Sequence, residues 1–139
     1  MATALLGFIA LAACGDEEGS GGSASFCEAA TNYRDANTMV PNPSTASAAQ
    51  LEAKFTELQD ALGQMEDAAP SEIEDDVATV ATTFDRFIAA FAAQKYDYAK
   101  FIADPDGRQA MDALNSDEMG TAMGNIDQYI DAECGSVQE

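Results

Sequence analysis

Two apolar stripes separated by one proline constrain this chain more than any other feature of it. Between Ser44 and Tyr96, Leu51, Phe55, Leu58, Leu62 and Met65 recur at steps of four, three, four and three. Ile73, Val77, Val80, Phe84, Phe87 and Phe91 then repeat that rhythm. Residues three and four apart lie above one another on an α-helix, so each set forms one face that has to be buried. Pro70 cannot continue the first helix's hydrogen-bond ladder and separates the two arms. Ser71 with Glu74 has the spacing of a capping box opening the second arm. The spacing therefore predicts a helical hairpin.

The rest of the chain adds helices of the same kind. Phe26 to Thr38 reads as a first helix with Phe26, Ala30 and Tyr33 facing inward, ended by Pro41-Asn42-Pro43-Ser44. After the hairpin, Tyr98, Phe101 and Ile102 extend the apolar stripe. Asp104-Pro105-Asp106-Gly107 reads as a turn, and a brief helical piece carries Met111 and Leu114. Asn115 or Ser116 caps a last helix striped by Met119, Met123, Ile126 and Ile130. One further step of four reaches Cys134, and Gly135 sits where a C-cap glycine belongs. Four principal helices with short connections predict an all-α, up-down-up-down four-helix bundle with a short extra helical piece. In that topology Cys27, at the start of the first helix, and Cys134, at the end of the last, fall at the same end. A single Cys27–Cys134 disulfide is expected, worth about 4–5 kcal/mol in the chain-entropy model.

Composition narrows the function classes. The 139 residues suffice for one domain with a real core, and the 25 acidic against 6 basic residues give a net charge of −19. A nucleic-acid binder needs Lys and Arg to displace counterions from phosphates, and this chain cannot supply them. A basic patch for an anionic lipid surface is excluded on the same ground. Three cysteines are an awkward number for an oxidising compartment unless one of them has another job.

The start of the chain offers that job. Residues 2–13 are uncharged and mostly apolar, too short to span a bilayer as a helix, and look like the apolar part of an export signal ending in small residues. Leu11-Ala12-Ala13-Cys14 resembles the lipobox of bacterial lipoproteins. In that family the peptidase cuts before the cysteine, whose sulfur carries a diacylglycerol. The basic residue that usually opens such a signal is missing, which predicts a true start upstream of Met1 or a truncated sequence. The resemblance implies residues 1–13 as a removed signal, residues 14–25 as a lipidated Cys14 with an acidic Gly/Ser linker, and residues 26–139 as the bundle domain. It also implies the cell envelope, at the outer face of the cytoplasmic membrane, with the membrane itself as partner through Cys14. Lipidation of Cys14 leaves Cys27 and Cys134 as an even pair. With its Phe-Cys start and late Cys, the domain is similar to the small alanine-rich lipoproteins of high-GC Gram-positive bacteria.

Chemistry is harder to place. Without histidine there is no Ser-His-Asp or Cys-His arrangement, no HExxH zinc helix and no Glu-x-x-His di-iron site. The clustered glycines Gly19, Gly21 and Gly22 lie in the linker and cradle no phosphate. Asp104-Pro105-Asp106-Gly107 lacks the further ligands of a calcium loop. Met65, Met111, Met119 and Met123 fall on apolar stripes and read as core filler. These readings favour a non-catalytic binding or scaffolding domain. In the bundle the end bearing the disulfide gathers acidic residues with none of the bases. Glu72, Asp75, Asp76, Asp127 and Asp131 are the candidate ligands for Ca²⁺ there, a link to an envelope protein or anionic polymer. The alternative for that end is a solvated acidic surface. A second expectation of a different kind is a carrier of a small apolar ligand, because alanine-rich inner faces leave room in a bundle interior.

Overall fold

A computed structural model describes residues 20–135, with side chains from Ser23 onward. The signal segment, Cys14 and the first part of the linker lie outside the described residues. The elements are α1 (Ser20–Thr38), α2 (Ala48–Asp67), α3 (Glu74–Ala93), α4 (Tyr98–Ala103), α5 (Pro105–Leu114) and α6 (Asp117–Glu133), with no strand among the described residues. The four long helices pack in a ring: α1 on α2, α2 on α3, α3 on α6, and α6 back on α1. Cross-contacts fix the directions. Phe55 meets Phe91 while Gln59 bonds Asp85; Asn125 bonds Asp76; Cys27 joins Cys134 while Arg34 pairs with Asp127. Between α2 and α3, and between α1 and α6, one number rises as the other falls, so these neighbours are antiparallel and the bundle is the expected all-α one.

The stripes are the core. Leu51, Phe55, Leu58, Leu62 and Met65 of α2 are all buried, as are Ile73, Val77, Val80 and Phe91 along the second arm, while Phe84 and Phe87 are half-buried. From α1, Phe26, Ala30 and Tyr33 point inward, and from α6, Met119, Ala122, Ile126 and Ile130 do so. Disulfide Cys27–Cys134, with Cα atoms 5.5 Å apart, closes the ring across 107 residues. Gly135 follows the Cys134 cap at φ 68°, a left-handed conformation that glycine adopts without a Cβ penalty.

The boundaries differ from expectation in instructive places. Helix α1 begins at Ser20, six residues ahead of Phe26, so the part of the linker nearest the bundle is helical. Its start is supported across the ring: Ser23 Oγ lies 3.3 Å from the Tyr129 hydroxyl, and the Phe26 ring meets Tyr129 edge-on. Ser71 and Glu74 form no capping box. The α3 cap is Ile73 with no side-chain hydrogen bond, and the chain enters through a turn in which Ile73 N donates to Pro70 O. The capping box stands instead at α2, where Ser47 and Gln50 satisfy each other's backbone N–H groups. Asp104-Pro105-Asp106-Gly107 is the first turn of α5, because Asp104 accepts from Gly107 N and Pro105 occupies the position where a missing N–H costs nothing. Ile102 does not extend the apolar stripe: it is 41% exposed, while Phe101 beside it is fully buried. Ser116 caps α6, and the Asn115 side chain donates to Met111 O instead.

Candidate functional site

Helices α4 and α5 occupy the end of the bundle away from the disulfide, packed on α3, and they make that end unlike the other. Their anchor is an aromatic cluster. Phe101 stacks on Phe91 at 4.3 Å between centroids and meets Phe87 edge-on at 5.3 Å. Phe55 adds edge contacts to Phe87 and Phe91, and such pairs stabilise by about 0.5–1.5 kcal/mol each beyond their buried area. Gly107 lets α5 cross α4 closely. A Cβ there would collide with the Phe101 carbonyl oxygen and come within 2.9 Å of its ring. Arg108 closes the corner by donating to Ile102 O and Ala103 O, the last carbonyls of α4.

Beside this cluster the ring of helices is not filled. A cavity of about 300 Å³ opens between the end of α1 and α5, walled by Phe84, Phe87, Phe101, Met111 and Leu114, with Asn37 and Asn115 at its polar edge. A second hollow of about 320 Å³ shares Asn37, Phe84, Leu114 and Asn115 with it and runs along α6 past Met119 and Gly120 to Tyr33. Together they form an apolar groove. Near the disulfide, α1 is held to α6 through Ser23, Phe26 and Cys27; towards the other end, small α6 residues such as Gly120 leave its flank open, and an added Cβ there meets nothing within 4 Å.

Tyr33 is the one polar side chain buried beneath this groove whose polar atom has no partner among the described residues. Its ring meets Phe84 edge-on at 6.2 Å. Burial, and secondarily the negative charge of Asp127, pushes its phenol up to about 12.

The expected ligand set for a cation is dispersed. Asp127 pairs with Arg34 at 2.9 Å, so a base does reach the acidic end. Both Asp76 oxygens accept from the Asn125 amide at 3.1 Å. Asp75 lines a shallow hollow with Arg86 and Glu118, and Glu72 lies within 3.3 Å of Ser71 Oγ. Asp131 is exposed. Among the described residues no group of three or more Cys, Asp or Glu side chains is placed to share a metal ion. The arm of Arg34 spans the distance that its Cα position did not suggest. Cys27 and Cys134 are joined as expected, whereas Cys14 lies outside the described residues.

The groove was the feature that periodicity missed. Its aromatic walls, Phe84, Phe87 and Phe101, each belong to an apolar stripe, and nothing in a stripe distinguishes a side chain that meets another helix from one that meets an opening. Chemically the groove can hold an apolar body and offer two carboxamides to it. Among the described residues no helix is long and apolar enough to cross a membrane. No protein-family model, curated protein or solved structure matches this chain.

Proposed function

We propose that the protein is a lipid-anchored, extracytoplasmic binding domain that carries a small apolar ligand in the groove between α1, α3 and α5. The observation that carries this reading is an opening of about 300 Å³ walled by Phe84, Phe87, Phe101, Met111 and Leu114. That volume is at the lower end of small-molecule pockets, which are mostly apolar with a few placed polar groups. Asn37 and Asn115 are such groups. Non-catalytic binding agrees with a chain that has no histidine and whose two cysteines in the bundle are bonded to each other.

Titration of the domain with N-phenyl-1-naphthylamine, a neutral apolar fluorophore, tests the reading. Saturable enhancement at one probe per chain is expected, and Leu114→Trp, which fills the groove at the residue shared by both hollows, should abolish it while the helical circular dichroism stays unchanged. Linear, unsaturable enhancement equal in both proteins would remove the carrier reading.

The anchorage half of the proposal rests on Leu11-Ala12-Ala13-Cys14. Expressed with its signal in a bacterial host fed an alkyne fatty acid, the protein should take up label and partition with membranes, and Cys14→Ser should do neither. Equal labelling of both forms would count against a lipid on Cys14.

A further inference from the structure

The apolar groove adjoins a more polar hollow, and the junction indicates what kind of apolar molecule fits. Pro43 and Tyr98 line both. This adjoining hollow, about 560 Å³, is edged by Ser44, Lys95, Tyr96, Asp97 and Lys100. In a chain of net charge −19, two of the six basic residues thus stand at one mouth of the one strongly apolar opening described above. Asp97 is the carboxylate among them, and it is already engaged: it accepts from Lys100 N at 3.1 Å as the α4 cap and pairs with Lys100 Nζ at 3.3 Å. The Lys95 ammonium has no carboxylate partner among the described residues.

The turn that presents Lys95 is an unusual one. Lys95 and Tyr96 are consecutive non-glycine residues in the left-handed region, at φ 53° and 57°. The Tyr96 ring is thereby laid on Phe55 and Phe91, at 6.2 and 6.1 Å, while Lys95 is left exposed at the rim. Aromatic residues of the groove and a free cation are thus held side by side by one strained turn.

The acidic residues near the disulfide do not cancel this arrangement. The carboxylates of the disulfide end lie one length of α3 away, 20 residues or roughly 30 Å. Physiological salt screens exposed charges beyond about 8 Å.

Resting on the reading of the groove as a ligand site, we infer that its ligand is a single-chain amphiphile with an anionic head, its tail among Phe84, Phe87 and Phe101 and its head at Lys95 and Lys100. The tail cavity suits one alkyl chain better than the two of a phospholipid, since it is only about 300 Å³.

Competition against bound N-phenyl-1-naphthylamine distinguishes the head group from the tail. Dodecanoate, methyl dodecanoate and dodecylammonium share one chain and differ in charge. Each is titrated below its micellar concentration, with circular dichroism confirming that the bundle stays folded. Dodecanoate should displace the probe at roughly three- to tenfold lower concentration than the ester, the size expected of a solvent-exposed ion pair at Lys95 with a lesser share from Lys100, which Asp97 already engages. Lys95→Asn with Lys100→Gln should remove that advantage and leave the ester unchanged; Asn tolerates the left-handed turn. Ester equal to or better than dodecanoate, or dodecylammonium best of the three, overturns the anionic-head inference while the carrier reading stands. Failure of the probe to bind at all removes the carrier reading and this inference with it.

Discussion

The Tyr33 hydroxyl is buried close enough to Asp127 to feel its charge, yet makes no hydrogen bond among the described residues. An unpartnered buried hydroxyl costs the folded state its lost hydration. Tyr33→Phe keeps the ring and its edge contact with Phe84 while removing that group. Urea denaturation at neutral pH should show the variant more stable by about 1 kcal/mol, and a loss of stability would indicate a partner for the hydroxyl.

The same residue sets an alkaline limit. Its phenol titrates near 12 in the fold against 10.0 in a free chain, so the folded state holds the proton more tightly than the unfolded one. The associated stability is complete below pH 10 and is lost as pH rises toward 12. Ultraviolet titration should show one of the four tyrosines ionising late, and Tyr33→Phe should both delete that step and flatten the fall in melting temperature above pH 10.

Gly107 faces backbone at the point where α5 crosses α4. Ala there would press a Cβ into the Phe101 carbonyl, and backbone cannot swing aside as a side chain can. Gly107→Ala should destabilise by about 1–3 kcal/mol despite Ala's better helix propensity. Chemical denaturation checks this. Gly120→Ala is the companion, since an added Cβ there meets open space; it should be neutral or stabilising.

Lys95 carries a conformational cost that glycine would not. Left-handed backbone costs a side-chain-bearing residue roughly 1–2 kcal/mol, so Lys95→Gly should raise the unfolding free energy by about 1 kcal/mol after glycine's own entropy cost. Tyr96→Gly should do the reverse, because it forfeits the ring contacts with Phe55 and Phe91. If both changes act alike, the turn is not the source of strain.

Much of this architecture was legible in the residues. The α2 and α3 stripes reappear as core almost side chain for side chain, since a periodic apolar face has few ways to be buried. The two cysteines of the bundle met because antiparallel packing returns the chain to its starting end. Local capping was less readable. Ser71-x-x-Glu74 has the pattern of a capping box, yet the turn after Pro70 starts the helix at Glu74, whereas Ser47-x-x-Gln50 forms one. Asp-Pro-Asp-Gly suits a turn and a helix start equally, and only the Asp104–Gly107 hydrogen bond decides between them. The groove, and the pairing of Asp127 with Arg34, depend on side-chain reach and on how the helices sit against one another. Spacing along one helix carries no information about either.

Bond Cys27–Cys134 also governs how the molecule bears load. A pull entering along the backbone at Ser20 reaches Cys27, crosses to Cys134 and leaves through Gly135. The residues between the two cysteines lie outside that line of tension. Without the crosslink, the same pull would peel α1 from α2 and α6 one contact at a time, with nothing stronger than side-chain packing to resist it. With it, the extensible length is limited to the few residues flanking the bridge, and the walls of the groove are mechanically isolated from a pull applied at Ser20 and Gly135.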